Sequence, residues 1–152
     1  MIDKGTKAPE FTLISDKGEK VSLSDFRGQR VVLYFFPKAD TPGCTKQACA
    51  VRDVYPKIEA EDATVVGISP DEPEALQKFR EKYDLPFILL SDPDHEVAEA
   101  YGAWGEKKEF GKTRMGIKRS HLAIDEEGRV IESEIKVKPE TTADLALKVI
   151  NP

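Results

Sequence analysis

The stretch that most constrains the fold runs from Val31 to Asp53, VVLYFFPKADTPGCTKQACAVRD. Its first six residues form a continuous apolar run rich in β-branched and aromatic side chains, which predicts a central strand covered on both faces. Pro37 ends that run, and residues 40–43 have the composition of a turn followed by a helix N-cap. Cys44 is therefore predicted to lie in, or just before, the first turn of a helix.

Size and charge limit the class of protein. A chain of 152 residues with 39% hydrophobic content predicts one domain, residues 1–152, whose core needs no disulfide. The charged fraction of 34% and the net charge of −5 argue against nucleic acid and anionic membrane as partners, and favour proteins or small molecules. The N-terminal residues carry charges where a signal peptide needs an apolar region, and no stretch is long enough to span a bilayer. The sequence thus predicts a cytoplasmic protein.

The elements on either side of the cysteine segment alternate between strand and helix patterns. Two short apolar pieces around the turn 15–18 predict an N-terminal β-hairpin. From Val31 the pattern predicts the order βαβαβα, with the first helix ending near Ala60. Such alternation predicts an α/β fold with helices flanking a mixed sheet of about five strands, and a thioredoxin-like fold with an N-terminal extension fits it.

The last third of the chain is less regular. Residues 102–116 are glycine-rich and basic, which predicts a loop. Two strands over 120–135 around an acidic turn predict a hairpin, and Thr141 or Thr142 is predicted to cap a last helix.

The sequence holds two cysteines, Cys44 and Cys49, in a C-x4-C spacing. This spacing is neither the C-x2-C of thioredoxin-like reductases nor a zinc-ligand pattern, and no histidine-rich or second cysteine cluster could complete a metal site. Because a cytosolic compartment keeps thiols reduced, redox chemistry is a better interpretation of the pair than a lasting structural bridge.

The predicted position of Cys44 is the first argument that it is a nucleophile. The thiolate is the reactive form, and the unpaired N–H groups and dipole at a helix start favour negative charge there. A nearby cation would add to this effect, and Arg119 is the best candidate, because it precedes a strand that could lie beside the strand of the cysteine segment. The alternative is an inert core cysteine, since Cys44 lies within about 40° of the apolar face on a helical wheel.

Cys49 falls about 140° from Cys44 on the same wheel, at the flank or exposed side of the helix. On an intact helix their Cα atoms should be about 8.6 Å apart, whereas a disulfide needs less than about 7 Å. If these cysteines bond, the helix must therefore unwind locally.

Pro37, Thr41 and Cys44 form the pattern P-x-x-x-T-x-x-C, which resembles the signature of the peroxiredoxins, thiol peroxidases of thioredoxin-like fold. The longer segments FFPKADTPGCTKQAC, YGAWGEKKEFGKTRMGIKRS and AIDEEGRV resemble one branch, the bacterioferritin-comigratory (Q-type) peroxiredoxins, also called thioredoxin-dependent thiol peroxidases. The resemblance extends from APEFTL near the N-terminus to the last hairpin.

The resemblance implies a role for each matching residue. Cys44 would be the peroxidatic cysteine, which attacks the O–O bond of hydrogen peroxide or an organic hydroperoxide and becomes a sulfenic acid. Thr41 would offer its hydroxyl to the thiolate and the peroxide, and Pro37 would shield the sulfur from water. Arg119 would stabilise the thiolate and the charge that develops on the peroxide.

Cys49 resembles the resolving cysteine of branch members that keep both cysteines on one helix. It would condense with the sulfenic acid of Cys44 to form an intramolecular disulfide. Thioredoxin or a similar dithiol protein would then reduce that disulfide by exchange. The resemblance implies a monomer that needs no cofactor.

Four positions depart from the branch pattern, and Ala50 and Val51 replace a commoner acidic-aromatic pair. Gln47 stands where glutamate is more common, which keeps hydrogen bonding but removes a charge. His121 stands where a hydroxyl residue is usual. Strand alternation puts His121 on the same face as Arg119, but an ordinary, partly exposed histidine is the preferred interpretation.

Two other functions use the same sequence features. In a peroxide sensor or chaperone-like switch without significant turnover, oxidation of Cys44 would unfold the helix start and expose a binding surface. A thioredoxin-fold binding module with structural cysteines is disfavoured, because it leaves the set of Pro37, Thr41, Cys44 and Arg119 unexplained.

Overall fold

The computed structural model describes residues 2–150, where apolar runs and turns produce a β-sheet with helices on both faces. The strands are β1 (Thr12–Ser15), β2 (Lys20–Ser22), β3 (Arg30–Phe35), β4 (Ala63–Ser69), β5 (Ile88–Ser91), β6 (Trp104–Glu109), β7 (Lys112–Ile117), β8 (Ser120–Ile124) and β9 (Val130–Ile135). The helices are α1 (Pro42–Ala60), α2 (Pro73–Tyr83), α3 (Glu96–Ala100) and α4 (Thr141–Ile150). None of these helices is long and apolar enough to cross a membrane.

The main sheet has seven strands in the order β2-β1-β5-β4-β3-β8-β9. Strands β3, β4 and β5 run parallel, and the other pairings are antiparallel, so the sheet is mixed as predicted. The sheet has more than the predicted five or so strands because the N-terminal hairpin joins it, with Ile14 opposite Ser91. Strand β3 lies inside the sheet, between β4 and β8, and its residues from Val31 to Phe35 are at most 2% exposed.

The alternation of side chains along β3 divides the core into two layers. Val32 and Tyr34 face the layer formed by α1, α2 and α4, which also contains Cys44. Leu33 and Phe35 face the opposite layer, which is covered by α3 and by the segment before β1. Cys44 therefore lies between the sheet and the helical layer of α1, α2 and α4.

The prediction of a loop over residues 102–116 is wrong, because this segment forms the antiparallel hairpin β6–β7. Its two-residue turn is Phe110-Gly111, with φ of 52° and 75°, the left-handed conformation that tight hairpin turns require. Charged side chains on both faces hide the alternation of apolar and polar residues that predicts a half-buried strand. The Phe110 side chain at the tip is fully exposed.

Helix α1 begins and ends where the sequence predicts. Thr41 is its N-cap, with extended backbone, and Pro42 occupies the first helical position, where the missing N–H removes no helical hydrogen bond. The helix continues through Pro56 and ends at Ala60.

A buried ion pair ties the N-terminal hairpin to α2. The Asp16 side chain, 2% exposed, accepts two hydrogen bonds from Arg80, at 2.5 and 3.0 Å. Arg80 also donates to the carbonyl oxygens of Leu85 and Phe87. Both oxygens of the buried carboxylate are therefore paired.

Candidate active site

Cys44 is the third residue of α1 and is buried, with 1% of its surface exposed. The first N–H groups of a helix have no partner within it, so the thiol lies where the backbone favours a thiolate. The prediction that Cys44 belongs to the first turn is confirmed.

Arg119 provides a cation in contact with this sulfur. Its Nη1 donates to Cys44 Sγ at 3.4 Å and to Gln47 Oε1 at 2.6 Å. Arg119 directly precedes β8, which pairs with β3, and this pairing brings the guanidinium to the start of α1. Glycine at position 43 permits the approach, because a Cβ there would lie 2.9 Å from Arg119 Nη2.

Thr41 and Pro37 lie on the loop between β3 and α1, and both are partly buried. The Thr41 hydroxyl donates to the Lys38 carbonyl oxygen at 2.7 Å, so in this state it serves the loop rather than the sulfur. Pro37 lies with Arg119 on the wall of a groove. Both residues are therefore near the start of α1, but neither is hydrogen-bonded to Cys44.

The same loop is fastened to the neighbouring elements. The Ala39 N–H donates to Asp71 Oδ2 at 2.8 Å. Asp40, with a left-handed φ of 59°, accepts from Lys82 Nζ at 2.9 Å and from the Tyr83 hydroxyl at 2.8 Å. These two hydrogen bonds, that of Lys82 first, hold the pKa of the Asp40 carboxyl below its ordinary value.

Cys49 lies further along α1 and is partly exposed, as the helical wheel predicts. Both cysteines are free, and α1 is continuous between them. The structure therefore presents the reduced state, in which the helix holds the two thiols on different sides.

Gln47 is fully buried and connects Arg119 to α4. Its Nε2 donates to Thr142 Oγ1 at 2.9 Å, and the same hydroxyl is 2.9 Å from His121 Nδ1. The other ring nitrogen of His121 is 3.8 Å from Glu134 Oε2. The structure thus joins Gln47 and His121, two of the positions that depart from the branch pattern, through Thr142.

The interpretation of His121 as an ordinary, partly exposed histidine is wrong, because the residue is 3% exposed. Helix α4 packs against β8 and covers it. This burial lowers the pKa of His121, while Glu134 and Glu132 act in the opposite direction. The sequence did not indicate a role in the site for Thr142, which lies inside the first turn of α4. The only signal for this network was strand alternation, which puts His121 on the same face as Arg119.

A groove of about 700 Å³ runs along the solvent side of Arg119 and Pro37. It is lined by more basic than acidic side chains: Lys107, Lys108, Lys118, Arg119 and Lys136 against Glu106 and Glu109. In a chain with a net charge of −5, this surface is a local region of positive charge. The groove is therefore suited to an anionic group or an acidic partner.

Comparison with known proteins gives the family. Residues 4–133 match the AhpC/TSA family. Peroxiredoxin Bcp of Bacillus subtilis is 48% identical over 149 residues, which cover 98% of this chain and 95% of the relative. Peroxiredoxin Bcp of Escherichia coli K12 is 52% identical over 129 residues, which cover 85% and 83%.

A solved structure agrees with these relatives. The peroxidoxin BcpB of Mycobacterium tuberculosis has a TM-score of 0.87 at 33% identity, and the match covers 99% of this chain and 97% of that one. The predicted thioredoxin-like fold is confirmed. This chain therefore belongs to the AhpC/TSA family, as a peroxiredoxin of the Bcp type and hence a peroxidase that acts through a thiol.

Proposed function

We propose that Cys44 reduces hydrogen peroxide and organic hydroperoxides, and that Arg119 is its electrostatic partner. The observation that carries this proposal is the contact of 3.4 Å between Arg119 Nη1 and a sulfur at a helix N-terminus. Helix and guanidinium both favour negative charge at the same atom. An inert core cysteine does not need a guanidinium directed at its sulfur.

In the proposed reaction, the Cys44 thiolate attacks one oxygen of ROOH and the O–O bond breaks. The sulfur becomes a sulfenic acid, and the leaving RO⁻ takes a proton from solvent to form ROH. Arg119 stabilises the charge that moves from the sulfur to the leaving oxygen. The Thr41 hydroxyl is one residue outside the helix and would turn from Lys38 to the peroxide, while Pro37 limits the access of water.

We assign Cys49 the resolving role. Its thiol attacks the sulfenic acid of Cys44, which forms the Cys44–Cys49 disulfide and releases one water. Because α1 is continuous between these residues, its first turns must unwind for the bond to form. A dithiol protein, which we propose to be thioredoxin, then reduces this disulfide with two electrons by thiol–disulfide exchange. The basic groove beside Arg119 suits an acidic partner.

The test is peroxide consumption by the purified protein with reduced thioredoxin and its reductase. Cys44→Ser is expected to abolish turnover. Cys49→Ser is expected to retain one sulfenylation per chain, detected by dimedone labelling and mass spectrometry, but to lose recycling. Full activity of the Cys44 variant would refute the assignment, and normal recycling of the Cys49 variant would move the resolving role to another thiol.

The rate of the first step separates an enzyme from a sensor without turnover. A peroxidase requires Cys44 to react with hydrogen peroxide orders of magnitude faster than a free thiol, whereas a slow sensor does not. We also infer that the protein works as a monomer, since both proposed cysteines lie in one chain, and that it works in the cytoplasm, where thiols are kept reduced. Sedimentation of the reduced and oxidised forms tests the monomer.

A further inference from the structure

A chain of buried hydrogen bonds links Arg119 to a histidine that the proposed reaction does not use. The links run from Arg119 to Gln47 at 2.6 Å, from Gln47 to Thr142 at 2.9 Å and from Thr142 to His121 at 2.9 Å. Gln47 and Thr142 are fully buried, and His121 is 3% exposed. Each of these polar groups therefore depends on the others for its hydrogen bonds.

The direction of every bond in this chain is determined by the guanidinium, which can only donate. Gln47 must accept through Oε1, so its Nε2 faces Thr142 and donates. Within residues 2–150, the Thr142 hydroxyl has two hydrogen-bond partners, Gln47 Nε2 and His121 Nδ1. Because Gln47 Nε2 donates, the Thr142 hydroxyl donates its own proton to His121 Nδ1. The imidazole is then neutral, with its hydrogen on Nε2, which points towards Glu134.

The direction of these hydrogen bonds matters because the side-chain amide of glutamine has an acceptor oxygen on one side and a donor NH2 group on the other. If the amide turned over, its NH2 group would face the guanidinium, and Arg119 would lose its acceptor beside Cys44. The Thr142 oxygen accepts from Gln47 Nε2, and the Thr142 proton is donated to His121. Thr142 therefore has no proton left for a Gln47 oxygen, which disfavours the flipped orientation. A carboxylate at position 47 would accept through either oxygen and would need no such orienting partner.

We propose that Thr142 and His121 are positioning residues for the peroxide reaction: they orient the Gln47 amide, which holds the Arg119 guanidinium on Cys44 Sγ. This inference rests on the proposed roles of Cys44 and Arg119. The inference predicts that the effect of a His121 substitution on the rate of Cys44 oxidation depends on which residue is at position 47. A purely structural role of the histidine predicts no such dependence.

The experiment compares the rate of Cys44 oxidation by hydrogen peroxide in single turnover, measured by competition with a second peroxidase. His121→Leu, which removes the acceptor of Thr142, is expected to slow the reaction about tenfold. His121→Asn places an amide oxygen near the original Nδ1 and is expected to stay within about threefold of the unmodified protein. His95→Leu, a change at the chain's other histidine, is the matched control and is expected to leave the rate unchanged.

The decisive comparison repeats His121→Leu in a Gln47→Glu background. Because the carboxylate accepts through either oxygen, we expect the histidine change to alter the rate there by less than about twofold. An equal loss in both backgrounds, or no loss in either, would overturn the proposal. If the leucine variant does not fold, Thr142→Val against Thr142→Ser makes the same comparison through the hydroxyl.

A second measurement separates this proposal from the proposed peroxidase function. Alkylation of Cys44 by iodoacetamide at pH 7 reports the thiolate without any peroxide, and His121→Leu is expected to slow it about threefold. If the unmodified protein reacts with peroxide no faster than free cysteine, the proposed function fails, while slower alkylation still supports the network. Unchanged alkylation together with unchanged oxidation rejects the network alone.

Discussion

Replacement of Arg119 is the most direct test of how Cys44 is activated. Its Nη1 is shared between Cys44 Sγ at 3.4 Å and Gln47 Oε1 at 2.6 Å. A hydrogen bond to a charged group contributes about 1.5–3 kcal/mol, or about 10- to 150-fold in a rate if it forms fully in the transition state. We therefore expect Arg119→Ala to slow oxidation of Cys44 by hydrogen peroxide about 100-fold.

Arg119→Lys separates charge from geometry. Lysine retains the positive charge, but its ammonium is a compact point on a flexible stem and lacks the planar fork of the guanidinium. We expect a loss of about tenfold, intermediate between the unmodified protein and the alanine variant. Equal rates for the lysine variant and the unmodified protein would show that charge alone is sufficient.

The assay is stopped-flow competition for limiting hydrogen peroxide at 25 °C, with thermal unfolding of each variant measured in parallel. Arg114→Ala is the matched control, because Arg114 is exposed, pairs with Glu109 at 2.8 Å and has the same charge. Arg119→Ala leaves the buried Gln47 oxygen without its donor and is expected to cost about 1–3 kcal/mol of stability. A rate within threefold of the control variant in a folded protein would refute the reasoning and leave the helix start as the main source of activation.

Three further predictions concern stability. Tyr34→Phe is expected to raise the free energy of unfolding in urea by about 1 kcal/mol, because the Tyr34 hydroxyl is buried without a hydrogen-bond partner among residues 2–150; a destabilised variant would contradict this. Asp16→Asn is expected to lower stability by about 3 kcal/mol, since it removes the carboxylate buried against Arg80, whereas Asp53→Asn on the surface should change it by less than about 0.5 kcal/mol. Because burial lowers the pKa of His121, the folded protein binds fewer protons at this residue than the unfolded chain does, so the free energy of unfolding should fall as pH drops below about 6.5. His121→Asn should flatten that decline. Parallel curves of stability against pH for the two proteins would exclude the effect.

The sequence predicts best where one local signal determines the structure. The apolar run of β3 can only be a covered strand in a chain of this size, and Pro37 and Gly43 mark the segment between it and the helix. The position of Cys44 follows from these signals. Its contact with Arg119, 75 residues further along, could be anticipated because strand order in an α/β fold leaves few places for the strand after Arg119.

The errors lie where structure depends on what covers a segment. The strands β6 and β7 carry charges on both faces, so no periodicity distinguishes them from a loop, and they are held by pairing with each other. His121 lies on a strand whose exposure depends on where α4 packs. Thr142 has the composition of a helix cap, and nothing local indicates that its hydroxyl serves Gln47 on another helix.

The fastening of the loop between β3 and α1 has a kinetic consequence. Asp71, Lys82 and Tyr83 hold residues 39 and 40 from outside the helix, so the chain just before Thr41 is expected to stay in place when the disulfide forms. Rearrangement is then confined to about two helical turns, a motion that takes about a microsecond or less in isolated helices. We expect closure of the disulfide to be limited by sulfur chemistry rather than by chain motion. Because a thiolate is the attacking form, the rate of closure should respond to pH more than to solvent viscosity.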